Sequence, residues 1–218
     1  MTIGPPTERT RVRRIASRGA YDRETVHAIL DEARFCHVGF VDGGQPVVLP
    51  TIHARIGDTL YLHGSTASRM LEAATGAPVC VTATILDGLV LARSAFHHSM
   101  NYRSVVAFGV PYTVEDESEK RAALDAVVEH VLAGRGVEAR PPSPKELAAT
   151  RVFALSLDEA SAKIRSGPPI DDEADLGSAR WAGVVPLHTI PAAPEADPAL
   201  EAGAATPASV RRLLSGTR

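Results

Sequence analysis

The chain has 218 residues, 23 of them Lys or Arg and 26 Asp or Glu, giving a formal net charge of -3, with 44% hydrophobic residues and only five Phe, four Tyr and one Trp. These values fit one globular domain with a tail, and they exclude an acidic disordered chain, a fibre, and the basic face that nucleic-acid binding demands. No run of about 18 apolar residues offers a membrane span and no apolar stretch near the start suggests a secretion signal, so a soluble cytoplasmic protein is expected, with Cys36 and Cys80 as buried free thiols rather than a disulfide or zinc framework.

Residues 1–15 read as a flexible polar arm. Behind the capping residue Asp22, the apolar side chains Val26, Ile29, Leu30 and Ala33 recur at helical spacing and predict a helix over 22–34. The period then changes. Phe35 to Val41 and Gln45 to Ala54 are β-rich and flank Asp42-Gly43-Gly44, the chemistry of a hairpin turn. Gly57-Asp58 leads into a third strand, Thr59 to His63, which feeds the polar loop Gly64-Ser65-Thr66-Ala67-Ser68 and a short helix over 69–74.

Strands are expected over 79–86 and 88–95, broken at Asp87-Gly88, and over 104–114, with the polar run His97 to Tyr102 between them. Leu124, Val127, Val128, Val131 and Leu132 predict an amphipathic helix over 117–133, ended by Gly134. A Pro-rich loop, a short helix over 145–149 and a last strong strand over 152–157 follow. From 191 to 218 the chain is a Pro/Ala-rich tail with a final short helix at 207–214. The hairpins leave no room for crossover helices, so residues 16–190 predict a mainly β (α+β) antiparallel barrel rather than a parallel sheet.

Three constellations carry candidate chemistry. Ser65, Thr66, Ser68 and Arg69 put three hydroxyls and a planar multi-donor head at a helix start, which suits a phosphate or, more blandly, a cap and a turn. No P-loop pattern is present, so nucleotide triphosphate hydrolysis is not suggested. His53 and His63 lie on neighbouring strands and His97-His98 interrupt the sheet, so four imidazoles either converge or each serve as a hydrogen-bonded sheet histidine; none has zinc spacing. Ser104 lacks a nucleophile elbow, whereas Lys163 and Arg165 form a basic pair and Trp181 offers a plane to stack on another planar system.

Together FCHVGF, QPVVLPTIHAR, GDTLYLHGSTASRML, PVCVTATILDGLVLARSAFHHSMNYRSVVAFG, SAKIRSGPP and WAGVVPL resemble the pyridoxamine 5'-phosphate oxidase-like, FMN-binding split-barrel family, most closely its branch related to nitroimidazole-resistance proteins. The resemblance covers about residues 15 to 190. It implies a six-stranded antiparallel split β-barrel with flanking helices and FMN as cofactor. It also implies a homodimer with flavins at the interface, a small-molecule substrate, and no nucleic-acid or membrane partner. Leu49, Pro50, Thr51 and Ile52 would line the flavin ring, with Leu62 and His63 beside it. Ser65, Ser68 and Arg69 would hold the phosphate, with Ser104 nearby. Lys163, Arg165 and Trp181 would reach the partner's flavin. Met70 stands where the oxidase has a basic residue, and its vitamin-substrate arginine motif is not recognisable. The expected reaction class is therefore two-electron hydride transfer to or from a small planar substrate, with His53 or His63 donating a proton. Two other readings fit the same barrel: a haem-binding or sensing protein with one of these histidines as axial ligand, and a deazaflavin-dependent reductase.

Overall fold

The computed structural model describes residues 7–201 and 203–216, and the chain enters the fold through a two-residue strand, β1 (Gly19–Ala20). The arm expected to be flexible is anchored from residue 7 onward: Tyr21 Oη accepts from Val12 N at 2.8 Å, and Arg9 pairs with Glu159 and lies over the Phe108 ring at 5.7 Å. Its first six residues lie outside the described ones. Helix α1 (Arg23–Glu32) begins where its cap predicts, with the Asp22 carboxylate accepting from Thr25 N at 2.7 Å, and it turns Val26, Ile29 and Leu30 into the core.

Strands β2 (Cys36–Asp42) and β3 (Gln45–Thr51) form the expected hairpin, closed by Gly43 and Gly44 at φ of 55° and 79°, the left-handed region that this tight turn requires. The chain then crosses to a second sheet through β4 (His53–Ile56) and β5 (Thr59–Ser65), which leads into α2 (Arg69–Ala74). Strand β6 runs unbroken over Val79–Leu91, so the expected interruption at Asp87-Gly88 is a register shift rather than a turn. Gly88 sits there for a packing reason: a Cβ would meet Val185 O at 2.9 Å.

Strand β7 (Ser99–Gly109) starts five residues earlier than its apolar run suggests, because polar Asn101 and Arg103 find buried or charged partners within the sheet. The 104–114 prediction therefore divides into the end of β7 and a separate β8 (Tyr112–Thr113). After α3 (Glu117–Val131) and α4 (Pro144–Ala149) come β9 (Thr150–Ser156) and β10 (Ala160–Arg165). Sequence periodicity missed β10 as a strand, since its alternation of small and basic residues carries little apolar signal. The four-residue β11 (Gly183–Pro186) is too short to show a period, and α5 (Ala208–Leu214) is the last helix among the described residues.

The large sheet has the order β1-β10-β7-β6-β2-β3, with β11 added along β6, and the small one β4-β5-β9-β8. All pairings are antiparallel, as the split barrel expected from the sequence requires. Its core lies between the sheets and α1, where Val38, Val81, Leu60, Leu62, Phe153 and Leu155 are buried. The other face of the small sheet packs Tyr61, Val152 and Ala154 against Ala123 of α3. Helix α5 docks rather than hangs: Glu138 accepts from Ser209 N at 3.0 Å and from its hydroxyl.

Candidate functional site

Alternation along β2 sets the orientation of the large sheet. Cys36, Val38 and Phe40 are buried, so His37 and Gly39, with their partners Pro50 and Val48, face away from the core. The same parity places Thr84, Ser104 and Lys163 in one cross-strand row on that outer face, and Leu86, Tyr102 and Arg165 in the next. The structure thus brings Pro50, Ser104, Lys163 and Arg165 onto one surface. Leu49 and Thr51 pair with Val38 and Cys36 and turn towards the barrel, and Ile52, half exposed, follows the end of β3. Strand β3 ends the sheet, so backbone groups not bonded to β2 form an open edge.

The Ser65–Arg69 loop reaches this edge, with Arg69 Nε 3.2 Å from Asp42 Oδ2 at the hairpin end of β2. Ser68 Oγ accepts from Leu71 N at 3.4 Å as a helix cap, and Ser65 Oγ accepts from Ala67 N at 3.2 Å. Both hydroxyls act as acceptors, which leaves their O–H donors available. Arg69 stays largely exposed. Trp181 is 67% exposed and lies against Gly183, where a Cβ would meet its ring at 2.9 Å.

The histidines separate rather than converge. His53 pairs directly with Leu62 and shares its face; it is fully buried, with Nε2 donating to Leu30 O at 2.9 Å, and its ring lies 4.6 Å from that of His130. Burial pushes its pKa below the ordinary histidine value. His63 follows Leu62 and therefore points to the opposite side of the small sheet. Leu62, expected beside the flavin, is itself buried in the barrel core. His97 Nε2 lies 3.2 Å from Asp172 Oδ2, and His98 Nδ1 donates to Ser94 O at 3.0 Å, both beyond the far end of β6.

His63 lines a cavity of about 450 Å³ with Leu124, Val127, Val128, Pro142 and Leu147. Its Nδ1 is buried and has no hydrogen-bond partner among the described residues, and burial holds its pKa below the usual histidine range. At the cavity rim Arg140 grips Glu146 through two bonds of 2.8 and 2.6 Å. Periodicity along α3 did foretell the apolar wall, since Leu124, Val127 and Val128 were read as a helix face. What it lacked was the sheet parity that turns His63 towards them.

The two antiparallel sheets, with β3 as an open edge, define a split-barrel architecture. Residues 22–164 match the model of the pyridoxamine 5'-phosphate oxidase family, and the chain belongs to that family. Among solved structures it is similar to the flavocytochrome Anf3 from Azotobacter vinelandii, at 40% identity and a TM-score of 0.90, covering 95% of this chain and 98% of that one. It is also similar to an FAD and haem binding protein from Mycobacterium smegmatis, at 41% identity and a TM-score of 0.86, covering 90% and 97%. A putative 5-nitroimidazole antibiotic resistance protein from Bacteroides thetaiotaomicron aligns at 27% identity and a TM-score of 0.57, over 67% of this chain and 86% of that one. No curated protein matches the chain. Among the described residues, no helix is long and apolar enough to cross a membrane.

Proposed function

We propose that this protein binds a flavin on the outer face of its large sheet and a haem through His63, and that it serves as an oxidoreductase passing electrons between the two. The observation that carries the reading is the open imidazole: His63 lines the cavity of about 450 Å³ and its buried Nδ1 has no hydrogen-bond partner among the described residues, whereas His53, whose Nδ1 is also without one, is fully buried against Leu30 and His130. The cavity volume falls within the roughly 300–1,000 Å³ of small-molecule sites, and its apolar walls suit a porphyrin plane. Two similar structures, at 40% and 41% identity over most of both chains, are a flavocytochrome and an FAD and haem binding protein. That pair favours the haem alternative raised by the sequence, and it favours FAD over the FMN first expected.

The residues fit both groups. His63 stays neutral near pH 7 because its charged form is disfavoured by burial, which keeps a ring lone pair free for a metal. Ser65, Ser68 and Arg69 present O–H and guanidinium donors to a phosphate oxygen. Pro46 and Pro50 withhold two backbone donors from β3, which limits where along the open edge a flavin's pyrimidine can bond. When bound, a flavin supplies two-electron and a haem one-electron chemistry. The outward Val41, Val48 and Leu86 are exposed on the same face, which favours a second copy of the chain covering it as a homodimer. The free thiols of Cys36 and Cys80 suit a reducing compartment such as the cytoplasm.

Absorption spectroscopy of the protein as purified, and after reconstitution with FAD and haemin, tests the proposal. It expects a flavin band and a Soret band together. A protein that binds flavin but gives only the spectrum of free haemin would reduce the function to a flavin-only oxidoreductase.

A further inference from the structure

Two arginines on neighbouring strands receive opposite treatment. Arg103 on β7 pairs across the sheet with Ile164, the neighbour of Arg165 on β10, so the two arginine side chains leave their strands on opposite faces. Arg103 is neutralised twice, by Glu32 and by Asp87, with its Nη2 at 2.8 Å and 2.7 Å from their oxygens. Arg165 is more deeply buried, at 5% exposure, and its hydrogen-bond partners among the described residues are neutral oxygens, none of them a carboxylate. Its Nη1 donates to Asn101 Oδ1 and to Gly167 O at 3.1 Å, its Nη2 donates to Pro168 O at 3.1 Å, and its Nε is buried with no partner.

The surroundings add positive charge. Lys163 precedes Arg165 on the same outer face, and its register partner on β1 is Gly19, directly after Arg18. Neither Lys163 nor Arg18 has an ion pair among the described residues. Residues 16–20, β7, β10 and the 166–170 loop contain no Asp or Glu. The next acids along that loop are already engaged, Asp171 with Arg93 at 2.9 Å and Asp172 with His97. Burial, and after it the nearby charge of Arg18, pushes the Arg165 pKa downward. A buried cation with only neutral acceptors is expensive, and a second one beside it more so, unless an anion completes the site.

We propose that Arg165, Lys163 and Arg18 form an oxyanion site for a phosphate group, with Asn101 fixing the guanidinium and Ser104 the neighbouring strand. Ser104 Oγ donates to Lys163 O at 3.2 Å, which ties β7 to β10 beside the cluster. The site lies on the flavin face but several strands from Arg69, and each strand step is about 4.8 Å. A cofactor with a single phosphate at the Ser65–Arg69 cradle would leave it empty. A dinucleotide with a diphosphate, or a phosphorylated substrate beside the flavin, would fill it. This assignment of the occupant rests on the flavin reading above; the oxyanion site itself does not.

The test uses the full chain and two exposed-side substitutions, Arg18→Gln and Lys163→Gln combined, because replacing buried Arg165 risks the fold. Arg14→Gln with Lys145→Gln controls for net charge. In the first arm, pyrophosphate is added at fixed ionic strength and thermal unfolding is followed. The proposal expects a rise in Tm of at least about 2 °C in wild type and control. It expects that rise to vanish in the Arg18/Lys163 variant. No rise in wild type, or an equal rise in all three proteins, overturns the site whether or not flavin binds. In the second arm, fluorescence quenching gives the affinities for FAD and riboflavin. A loss of about tenfold for FAD in the variant, with riboflavin unchanged, assigns the site to the cofactor's phosphates. An unchanged FAD affinity alongside a positive first arm overturns that occupant and leaves a phosphorylated substrate or free phosphate. Equal losses for FAD and riboflavin overturn phosphate recognition.

Discussion

His53 sits opposite Leu62 in the pairing of β4 with β5, so His63, the next residue along β5, points to the other side of the small sheet. That one-residue offset gives the two imidazoles different work. His53 is sealed between α1 and α3, with its Nε2–H on the Leu30 carbonyl, while His63 opens on the cavity beneath α3.

Three histidines give the fold a pH signature. His53, His63 and His130 all have pKa values held below the ordinary 6.5, chiefly by burial. Below 6.5 the unfolded chain then binds more protons than the folded one, so stability is fully present above that pH and falls as the pH drops through 6.5 towards the lowered values. Thermal melts at pH 7.5 and 5.5 should show a lower Tm in acid, and His53→Gln should reduce the difference. An acid-insensitive Tm in wild type would contradict the buried neutral assignment.

Breaking the neutralised arginine should cost more than an exposed ion pair does. Arg103→Met leaves Glu32 and Asp87 without their shared cation, and because all three side chains are about one-third exposed the cost in denaturant unfolding is between the exposed and buried cases, about 1–2 kcal/mol. Adding Glu32→Gln to that variant should restore part of the loss. A cost near zero would show that the network is only a solvated surface cluster.

Phe153 is among the largest fully buried side chains, packed between the barrel sheets. Phe153→Ala should destabilise the fold by about 3–5 kcal/mol. The shift appears as a lower urea midpoint with an unchanged m-value.

Val48 stands 62% exposed on the outer face of the large sheet, opposite Gly39. Val48→Arg should shift a homodimer towards monomer in sedimentation velocity and weaken flavin binding with it. A wild type that sediments as a monomer at micromolar concentration would remove the interface from the account.

Much of the barrel was legible because its strands alternate clearly and its turns carry Gly or Asp. Asp22, Gly43 and the α3 apolar positions each announce their role through local chemistry alone. β10 was not legible as a strand, since Ala160, Ala162 and Ser161 carry no strong β signal and its place is set by pairing with β7, over fifty residues earlier. The candidate site divides the same way. Arg69 and the serines stand in one short segment, and resemblance to a family points to them directly. The lack of a carboxylate near Arg165, and the orientation of His63, depend on strand parity and on residues far apart in the chain, such as Arg18, Asn101 and Leu124.

The central claim, that His63 is the haem ligand, is tested most directly by titrating haemin into wild type, His63→Ala, His53→Ala and His97→Ala and recording the Soret region. The account predicts a sharp, red-shifted Soret band in wild type, His53→Ala and His97→Ala, and its loss in His63→Ala with the flavin band intact. A Soret band in His63→Ala identical to that of wild type would contradict it.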